Sequence, residues 1–376
     1  MHLLSALSLA AATCVYLSDA APLSTAPTTC PPLQGSFNVS LLDLYPESAD
    51  WDPIHCKIYF GLYYNASVAV YDPYKQVVDE IITFPNITNN PDYTITGIDY
   101  SGNGSMYFAA TSYTAFRVVT TGDASLANFT GPNAIIKYDL TSHSVSWTAD
   151  LVPIHDSILQ STGKLVTGFQ DMAEDEAGNA YVIGSFGEVI VKIDPSGTPK
   201  IWYQPPTSQM NDTLISGGLV VAGRKLVIND RAAPGLLTFD LSQQAVNGTA
   251  PAGEPVLVSP KNFPANYTGG ADALVSPSKY GGNVVLWSQD FNGTMVFATR
   301  DNWTTAEYLG LVTINPGLQV QGAYTTDTFA SGNTIYAVNE FFQLSKPIKT
   351  LSSWHLDDIT QSVQQLVDQW NMTSKG

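Results

Sequence analysis

Short segments in which apolar and polar residues alternate follow one another along most of the chain, and Val, Ile, Tyr and Phe are frequent in them. This pattern is typical of β-strands. One unit recurs six times: a strand that opens on small polar residues, a Gly/Asn/Asp turn, an apolar strand, a polar or aromatic loop, and a third strand that ends in Asp. The clearest copy spans residues 168–204. The equivalent starts of the six units are Ser48, Thr96, Gln170, Ser216, Ala271 and Thr325.

These starts are separated by 48, 74, 46, 55 and 54 residues. Units of up to four strands at about this period indicate a β-propeller. We therefore expect an all-β fold, a six-bladed β-propeller with a short C-terminal helix. The long second step holds two insertions, near residues 112–133 and 153–167. A two-sheet sandwich is the alternative fold, and six regular units argue against it.

The two ends of the chain decide how such a ring closes. Few strands are recognisable after Asn339, whereas the segment GSFNVSLLDLY (35–45) lies ahead of the first unit. We expect this segment to supply the outermost strand of the last blade, which would leave no open sheet edge. The tail (357–370) has apolar residues at the spacing of an amphipathic helix, namely Ile359, Val363, Leu366, Val367 and Trp370.

The N-terminus carries an apolar, uncharged run over residues 2–17, followed by small residues around Ala20 and Ala21. This predicts a signal peptide over residues 1–20 and a single propeller domain over 21–376, in a secreted or vesicular protein. A membrane anchor is the alternative, although the run is shorter than the roughly 20 residues that a span requires. Eleven Asn-x-Ser/Thr sequons predict glycosylated loops, at Asn38, Asn65, Asn86, Asn103, Asn128, Asn211, Asn247, Asn266, Asn292, Asn302 and Asn371.

Cysteine content and charge narrow the class of protein further. Once the signal peptide is removed, Cys30 and Cys56 remain, and an even pair in an oxidising compartment predicts a disulfide; two free thiols are the alternative. The chain has 16 Lys plus Arg against 33 Asp plus Glu, a formal charge of −17. Such an acid excess repels phosphate and disfavours nucleic acid as a partner. The apolar content of 44% is too high for a disordered chain.

A propeller also predicts where a ligand would bind. The starts of the inner strands and the loops between second and third strands meet on one face of the ring, which we call the upper face. Aromatic and amide side chains at these positions would line a pocket for an apolar or conjugated small molecule: Tyr63, Tyr64, Tyr113, Phe186, Trp287, Gln289, Tyr324 and Phe341. Candidate donors and proton carriers at the same positions are Arg231, Glu340, Asp230, Asp272 and Gln170.

Each of these residues also has a structural interpretation. An aromatic residue at a strand end commonly packs in the core, a single Asp is commonly a turn former, and Arg231 could bridge two blades. The chain contains no HExxH, G-x-S-x-G or Walker motif, and we expect neither a metal nor another cofactor. Glu47, which opens the first blade, is the basis of the alternative, a Ca²⁺-dependent lactonase-like hydrolase.

Two long motifs carry a family resemblance. The segment from YPESADWDP to YNASVAVYDPY (45–74) and the segment GFQDMAEDEAGNAYVIGSF (168–186) resemble a family of fungal propeller proteins encoded in natural-product clusters. One branch comprises the hetero-Diels–Alderases of tropolone sesquiterpenoid pathways, of the eupenifeldin and xenovulene type, and another the trichothecene-cluster propeller protein. The resemblance extends from about Cys30 to Trp354. It implies a role in secondary metabolism but transfers no catalytic residue.

The first branch implies a specific reaction. Its members join a tropolone ortho-quinone methide to a humulene-derived alkene and so form a dihydropyran ring. Such a cycloaddition requires two reactants held face to face and donors to the oxygen of the heterodiene. The aromatic pocket predicted on the upper face fits these needs. A role in another cluster, such as a trichothecene-like cyclisation or a virulence function, is the alternative within the family.

Overall fold

The computed structural model describes residues 30–116, 130–210, 216–230, 235–242, 253–265, 267, 270–341 and 351–373. These residues form six four-stranded antiparallel sheets. Blade 1 contains β2 (Pro46–Asp52), β3 (Lys57–Leu62), β4 (Ser67–Asp72) and β5 (Val77–Ile82). Blade 2 contains β6 (Tyr93–Ser101), β7 (Ser105–Ser112), β8 (Ala134–Asp139) and β9 (Ser144–Asp150).

The next three blades repeat this order. Blade 3 contains β10 (Thr167–Glu174), β11 (Ala180–Phe186), β12 (Val189–Ile193) and β13 (Pro199–Tyr203). Blade 4 contains β14 (Leu219–Ala222), β15 (Lys225–Asp230), β16 (Gly235–Asp240) and β17 (Val256–Val258). Blade 5 contains β18 (Leu274–Val275), β19 (Val284–Gln289), β20 (Gly293–Ala298) and β21 (Glu307–Thr313). The inner strands β2, β6, β10, β14, β18 and β22 contact one another in sequence, and β22 contacts β2, which closes the ring.

Blade 6 joins the two ends of the chain, as predicted. Its strands are β22 (Tyr324–Ser331), β23 (Thr334–Glu340), β24 (Ser353–Asp358) and, outermost, β1 (Phe37–Ser40). Strand β1 pairs antiparallel with β24, from Phe37 opposite Leu356 to Ser40 opposite Ser353. The segment ahead of the first repeat therefore supplies the last strand of the ring. The predicted disulfide is also present, since Cys30 and Cys56 are bonded across 26 residues.

Within the described residues, three helices lie outside the sheets. The predicted C-terminal helix is α3 (Thr360–Thr373), whose apolar side packs on blades 5 and 6. Helix α1 (Val152–Thr162) fills the second insertion and α2 (Pro316–Gln319) leads into β22; neither was predicted. Short 3₁₀ turns occur at Tyr113–Phe116 and Ser278–Tyr280. Every helix within the described ranges falls short of the length and apolarity that a membrane span requires.

Aspartates at strand ends fix the turns of the repeat. The carboxylate of Asp72, which ends β4, accepts hydrogen bonds from the backbone N–H groups of Tyr74 and Lys75. Asp240, which ends β16, accepts from the N–H of Ser242 in the same way. An Asp that caps its own turn replaces backbone partners that the strand no longer offers. This explains why Asp recurs at the end of the third strand.

Aspartates of the inner strands join neighbouring blades. The second carboxylate oxygen of Asp50 accepts from the backbone N–H of Tyr100 at 2.6 Å, and that of Asp171 accepts from the N–H of Leu219 at 2.9 Å. Asp327 accepts from Ala49 at 3.1 Å. Each bond runs from one inner strand to the next, so these carboxylates hold the ring together around its central channel.

Candidate functional site

The predicted upper face brings several of the expected side chains together where blades 5, 6 and 1 meet. Glu340 ends β23 and lies opposite Tyr324, the first residue of β22. The backbone N–H of Thr325 donates to the carbonyl of Asp290 at 3.0 Å. This bond attaches the loop after β19 to the start of blade 6. Gln289, which ends β19, and Asp290, which follows it, therefore lie beside the inner strand that is paired with Glu340.

Four carboxyl groups crowd this end of the channel. Burial raises the pKa of Glu340, which is 0% exposed, to about 8. Burial, together with the charges of Glu340, Asp290 and Asp327, raises the pKa of Glu47 well above its ordinary value. Burial raises the pKa of Asp272 as well. The charge of Asp290, and the hydrogen bond between the side chains of Asp272 and Asp290, raise it further. Glu340 is therefore largely protonated at neutral pH and can act as a hydrogen-bond donor.

The local backbone permits this crowding at Gly270. A Cβ placed on Gly270 would lie 1.5 Å from a carboxylate oxygen of Asp290, so any other residue would displace that carboxyl group. The absence of a side chain lets the segment ahead of β18 approach Asp290 closely.

Several buried polar atoms at this mouth have no hydrogen-bond partner within the described structure. They include both carboxyl oxygens of Glu340, Oε2 of Glu47, both side-chain polar atoms of Gln289 and the hydroxyl of Thr326. Gln289 is only 1% exposed. Leaving such atoms unpaired costs roughly 1–3 kcal/mol each, so folded proteins rarely do so without a ligand or water to bind. These atoms are therefore candidates for hydrogen bonds to a ligand or to water.

Three tyrosines form an aromatic wall next to the carboxyl groups. The ring centroids of Tyr63 and Tyr64 are 4.9 Å apart, and Tyr113 lies 5.9 Å from Tyr63 and 6.0 Å from Tyr64, all in edge-on contacts. Burial raises the pKa of Tyr63 well above its ordinary value, and the charges of Glu47 and Glu340 add to this effect. The tyrosine wall and these carboxyl groups therefore lie close together.

The remaining predicted residues are placed differently. Gln170 is buried, and its side-chain NH₂ donates to the carbonyl of Gly217 at 3.0 Å and to Asp272 at 3.4 Å, so it braces the channel. Asp230 is buried at the end of β15. Burial raises the pKa of Glu188 to about 7, and the charge of Asp230 adds to this shift. Both lie on blades 3 and 4, away from the tyrosine wall.

Four predicted aromatic residues pack in the interior, and one of them is Tyr63 of the tyrosine wall, which is 2% exposed. Trp287 is fully buried in the cluster that joins blades 4 and 5, because its strand turns that face toward the neighbouring sheet. Phe341 packs in the cluster beneath Trp354. Phe186 contacts Phe116 with ring centroids 5.8 Å apart. Arg231 lies outside the described residues.

The described sequon asparagines differ in exposure. Asn38, Asn86, Asn103, Asn292 and Asn371 are exposed, whereas Asn65 and Asn302 are half-buried. Asn128, Asn211, Asn247 and Asn266 lie outside the described residues, as does the predicted signal peptide. Glycosylation and secretion remain predictions.

Sequence reasoning did not identify two features of the channel. One is the electrostatic coupling of Glu47 and Asp290 to the carboxyl groups of Glu340 and Asp272. The other is a cavity of about 830 Å³ at the opposite, lower face, where the inner strands end. In the described part of the chain, no three His, Cys, Asp or Glu side chains converge in a way that could hold a metal ion.

Comparison with known proteins gives two curated relatives. No protein-family model matches the chain. It is 27% identical over 353 residues to "Trichothecene biosynthesis protein 14" of Trichoderma arundinaceum, with 90% of this chain and 92% of the relative covered. It is 25% identical to "Core trichothecene cluster (CTC) protein 14" of Fusarium sporotrichioides, with 82% and 80% covered. The chain is related to fungal trichothecene-cluster proteins.

Solved structures support the fold. The major allergen Mala s 1 of Malassezia sympodialis superimposes with a TM-score of 0.72 at 18% identity, with 87% of this chain and 96% of the allergen covered. A streptogramin B lyase superimposes with a TM-score of 0.51 at 13% identity, covering 80% of this chain and 79% of the lyase. At these identities the likeness shows a shared propeller architecture.

Proposed function

We propose that this chain is a cyclase of fungal secondary metabolism that acts on an apolar, conjugated intermediate bound at the upper face. Its reaction is a hetero-Diels–Alder cycloaddition of a tropolone ortho-quinone methide with a humulene-type alkene. One C–C and one C–O bond form, and no atom is lost. The observation that carries the proposal is Glu340, a fully buried carboxyl group whose pKa is about 8.

The proposed role of Glu340 follows from charge development in the reaction. Negative charge grows on the carbonyl oxygen of the heterodiene as the ring closes, and a neutral carboxylic acid can donate a hydrogen bond to that oxygen. Removal of a preorganised donor of this kind typically slows a reaction by 10²–10³-fold. Burial keeps Glu340 protonated at neutral pH and excludes the water that would compete for the same oxygen.

The tyrosine wall supplies the second requirement. Tyr64 and Tyr113, which are half-buried, offer ring surface next to Tyr63, which is 2% exposed and lies near Glu47 and Glu340. Flat conjugated rings pack well against such a surface. Holding two reactants in contact converts a bimolecular step into an effectively unimolecular one. The relation to trichothecene-cluster proteins supports a substrate from secondary metabolism.

The test uses purified full-length protein with a hydroxymethyl tropolone, the precursor of the quinone methide, and a humulene-type alcohol. Product is followed by liquid chromatography–mass spectrometry, and its enantiomeric excess is measured on a chiral column. We expect faster formation and a single stereoisomer, compared with buffer alone. A product that forms at the buffer rate and as a racemate would contradict the proposal.

Two further arms separate the alternatives. Turnover of trichothecene-pathway intermediates, with no effect on the tropolone pair, would assign the chain to the trichothecene-like branch. Lactone hydrolysis that is abolished by a chelator and restored by Ca²⁺ would instead favour the hydrolase.

A further inference from the structure

The lower cavity lies at the other end of the central channel from Glu340. Its volume of about 830 Å³ is in the range of small-molecule sites. The inner strands of all six blades contribute to its lining, and so does the segment that begins at Cys30. The cavity is therefore a separate feature, whose residues include none of those assigned to the cyclase site.

The cavity has apolar walls and an acidic floor. Trp51, Ile98, Val220 and Leu274 are among its wall residues. The acidic residues of the lining are Asp50, Asp99, Asp171, Glu174 and Asp327, and the lining contains no Lys, Arg or His. The chain as a whole carries a formal charge of −17. A ligand that complements this cavity combines an apolar body with a positive charge.

Asp99 differs from the other aspartates of the floor. Asp50, Asp171 and Asp327 each accept hydrogen bonds from backbone N–H groups of a neighbouring blade, which fixes their positions. Burial and the charges of Asp50 and its neighbours raise the pKa of Asp99 well above its ordinary value, a shift that a bound cation would oppose. Within the described residues, the carboxyl group of Asp99 accepts no hydrogen bond. Its carboxyl group is therefore the one on the floor that remains available to a ligand.

Glu174, another residue of the cavity lining, also has a carboxylate oxygen without a hydrogen-bond partner among the described residues. Its side chain is 5% exposed. Its Oε1 accepts a hydrogen bond from Asn103 at 3.1 Å and lies 3.8 Å from Nζ of Lys137. Its Oε2 has no hydrogen-bond partner within the described residues. Buried carboxylate oxygens of this kind are costly when unpaired.

We propose that the lower cavity is a second ligand site, which binds an organic cation with an apolar body and pairs its ammonium group with Asp99. The fixed aspartates favour an organic cation over a metal ion, because backbone hydrogen bonds hold their oxygens toward the strands. In the part of the chain that is described, no set of carboxylates converges as metal ligands. This site is independent of the proposed cyclisation.

The test compares three probes of one shape: 4-phenylbutylamine, 4-phenylbutanol and 4-phenylbutyrate. Binding to the full-length protein is measured by isothermal titration calorimetry at low salt. We expect the ammonium probe to bind at least about tenfold more tightly than the alcohol, and the carboxylate not to bind. Equal affinity for all three probes would overturn the proposal.

Variants locate the probe. Asp99→Asn should weaken ammonium binding about tenfold, whereas Glu340→Gln should leave it unchanged. Ala330→Trp, which fills the cavity from β22, should abolish binding and keeps the test decisive if the Asp99 variant fails to fold. Unchanged binding in a folded Asp99→Asn or Ala330→Trp variant, or a loss confined to Glu340→Gln, would overturn the proposal.

Discussion

Replacing Glu340 with Gln separates the effect of its buried charge from the effect of its shape. The folded protein holds a proton on Glu340 up to a pKa of about 8, compared with an ordinary value of 4.5. Between these two values the native state binds more protons than the unfolded chain. Stability therefore falls as pH rises through this window and levels off above about pH 8.

The magnitude follows from the same two values. Each factor of ten in an acid dissociation constant corresponds to 1.36 kcal/mol, which gives an upper limit of about 5 kcal/mol. Because Glu47 shares the pocket and its ionisation is linked to that of Glu340, we expect a gain of about 2–5 kcal/mol for Glu340→Gln above pH 8. Near pH 5 the gain should be below about 1 kcal/mol. For a chain of this size, a gain of that order raises Tm by about 3–7 °C.

The assay is differential scanning calorimetry at pH 5 and pH 8.5. Glu176→Gln is the matched control, because Glu176 is exposed in the turn between β10 and β11 and should shift stability by less than about 0.5 kcal/mol. The reasoning is refuted if Glu340→Gln has the same effect on Tm at both pH values, or if it destabilises the protein at pH 8.5.

Three further predictions concern the fold. Replacing both Cys30 and Cys56 with Ser should lower the unfolding free energy by about 3 kcal/mol; an unchanged guanidinium midpoint would contradict this. Trp370→Ala removes the anchor of α3, including the contact of its ring with the Arg300 guanidinium at 3.7 Å, and should lower the unfolding free energy by about 3–5 kcal/mol. Met372→Ala, at an exposed position of the same helix, should lower it by almost nothing. Equal thermal shifts for the two variants would show that α3 is not anchored by Trp370. Asp327→Ala should cost about 2–4 kcal/mol in urea unfolding, because it leaves two buried donors of blade 1 unpaired; a neutral result would remove the carboxylate link between the blades.

The repeat pattern predicted the fold well because the signals that define a blade are local. Alternating strands, Asp-capped turns and the segment ahead of the first repeat (35–45) can each be recognised from a few consecutive residues. Helix α1 escaped prediction because its apolar residues lie among Ser, His and Asp in a segment interpreted as an insertion. The Pro at the start of that helix was a usable signal, since Pro153 stands at its second position.

The candidate site was predictable only in part. Glu340 and Tyr63 could be proposed from their positions at strand ends. The raised pKa of Glu340 depends on burial among blades that are far apart in the chain, and no local pattern reports that. Trp287 has the same position in its repeat, yet the twist of its sheet directs it into the core. The lower cavity likewise results from the ring as a whole.

The pH dependence of the cyclisation rate tests the central claim most directly. For the native protein, we predict that kcat/KM for ring closure declines above about pH 8, as Glu340 ionises and ceases to donate. Glu340→Gln, whose amide still donates, should retain activity and lose this decline, whereas Glu340→Leu should be slower by about 10²–10³-fold. A decline that persists unchanged in Glu340→Gln, or full activity in Glu340→Leu, would contradict the role assigned to this carboxyl group.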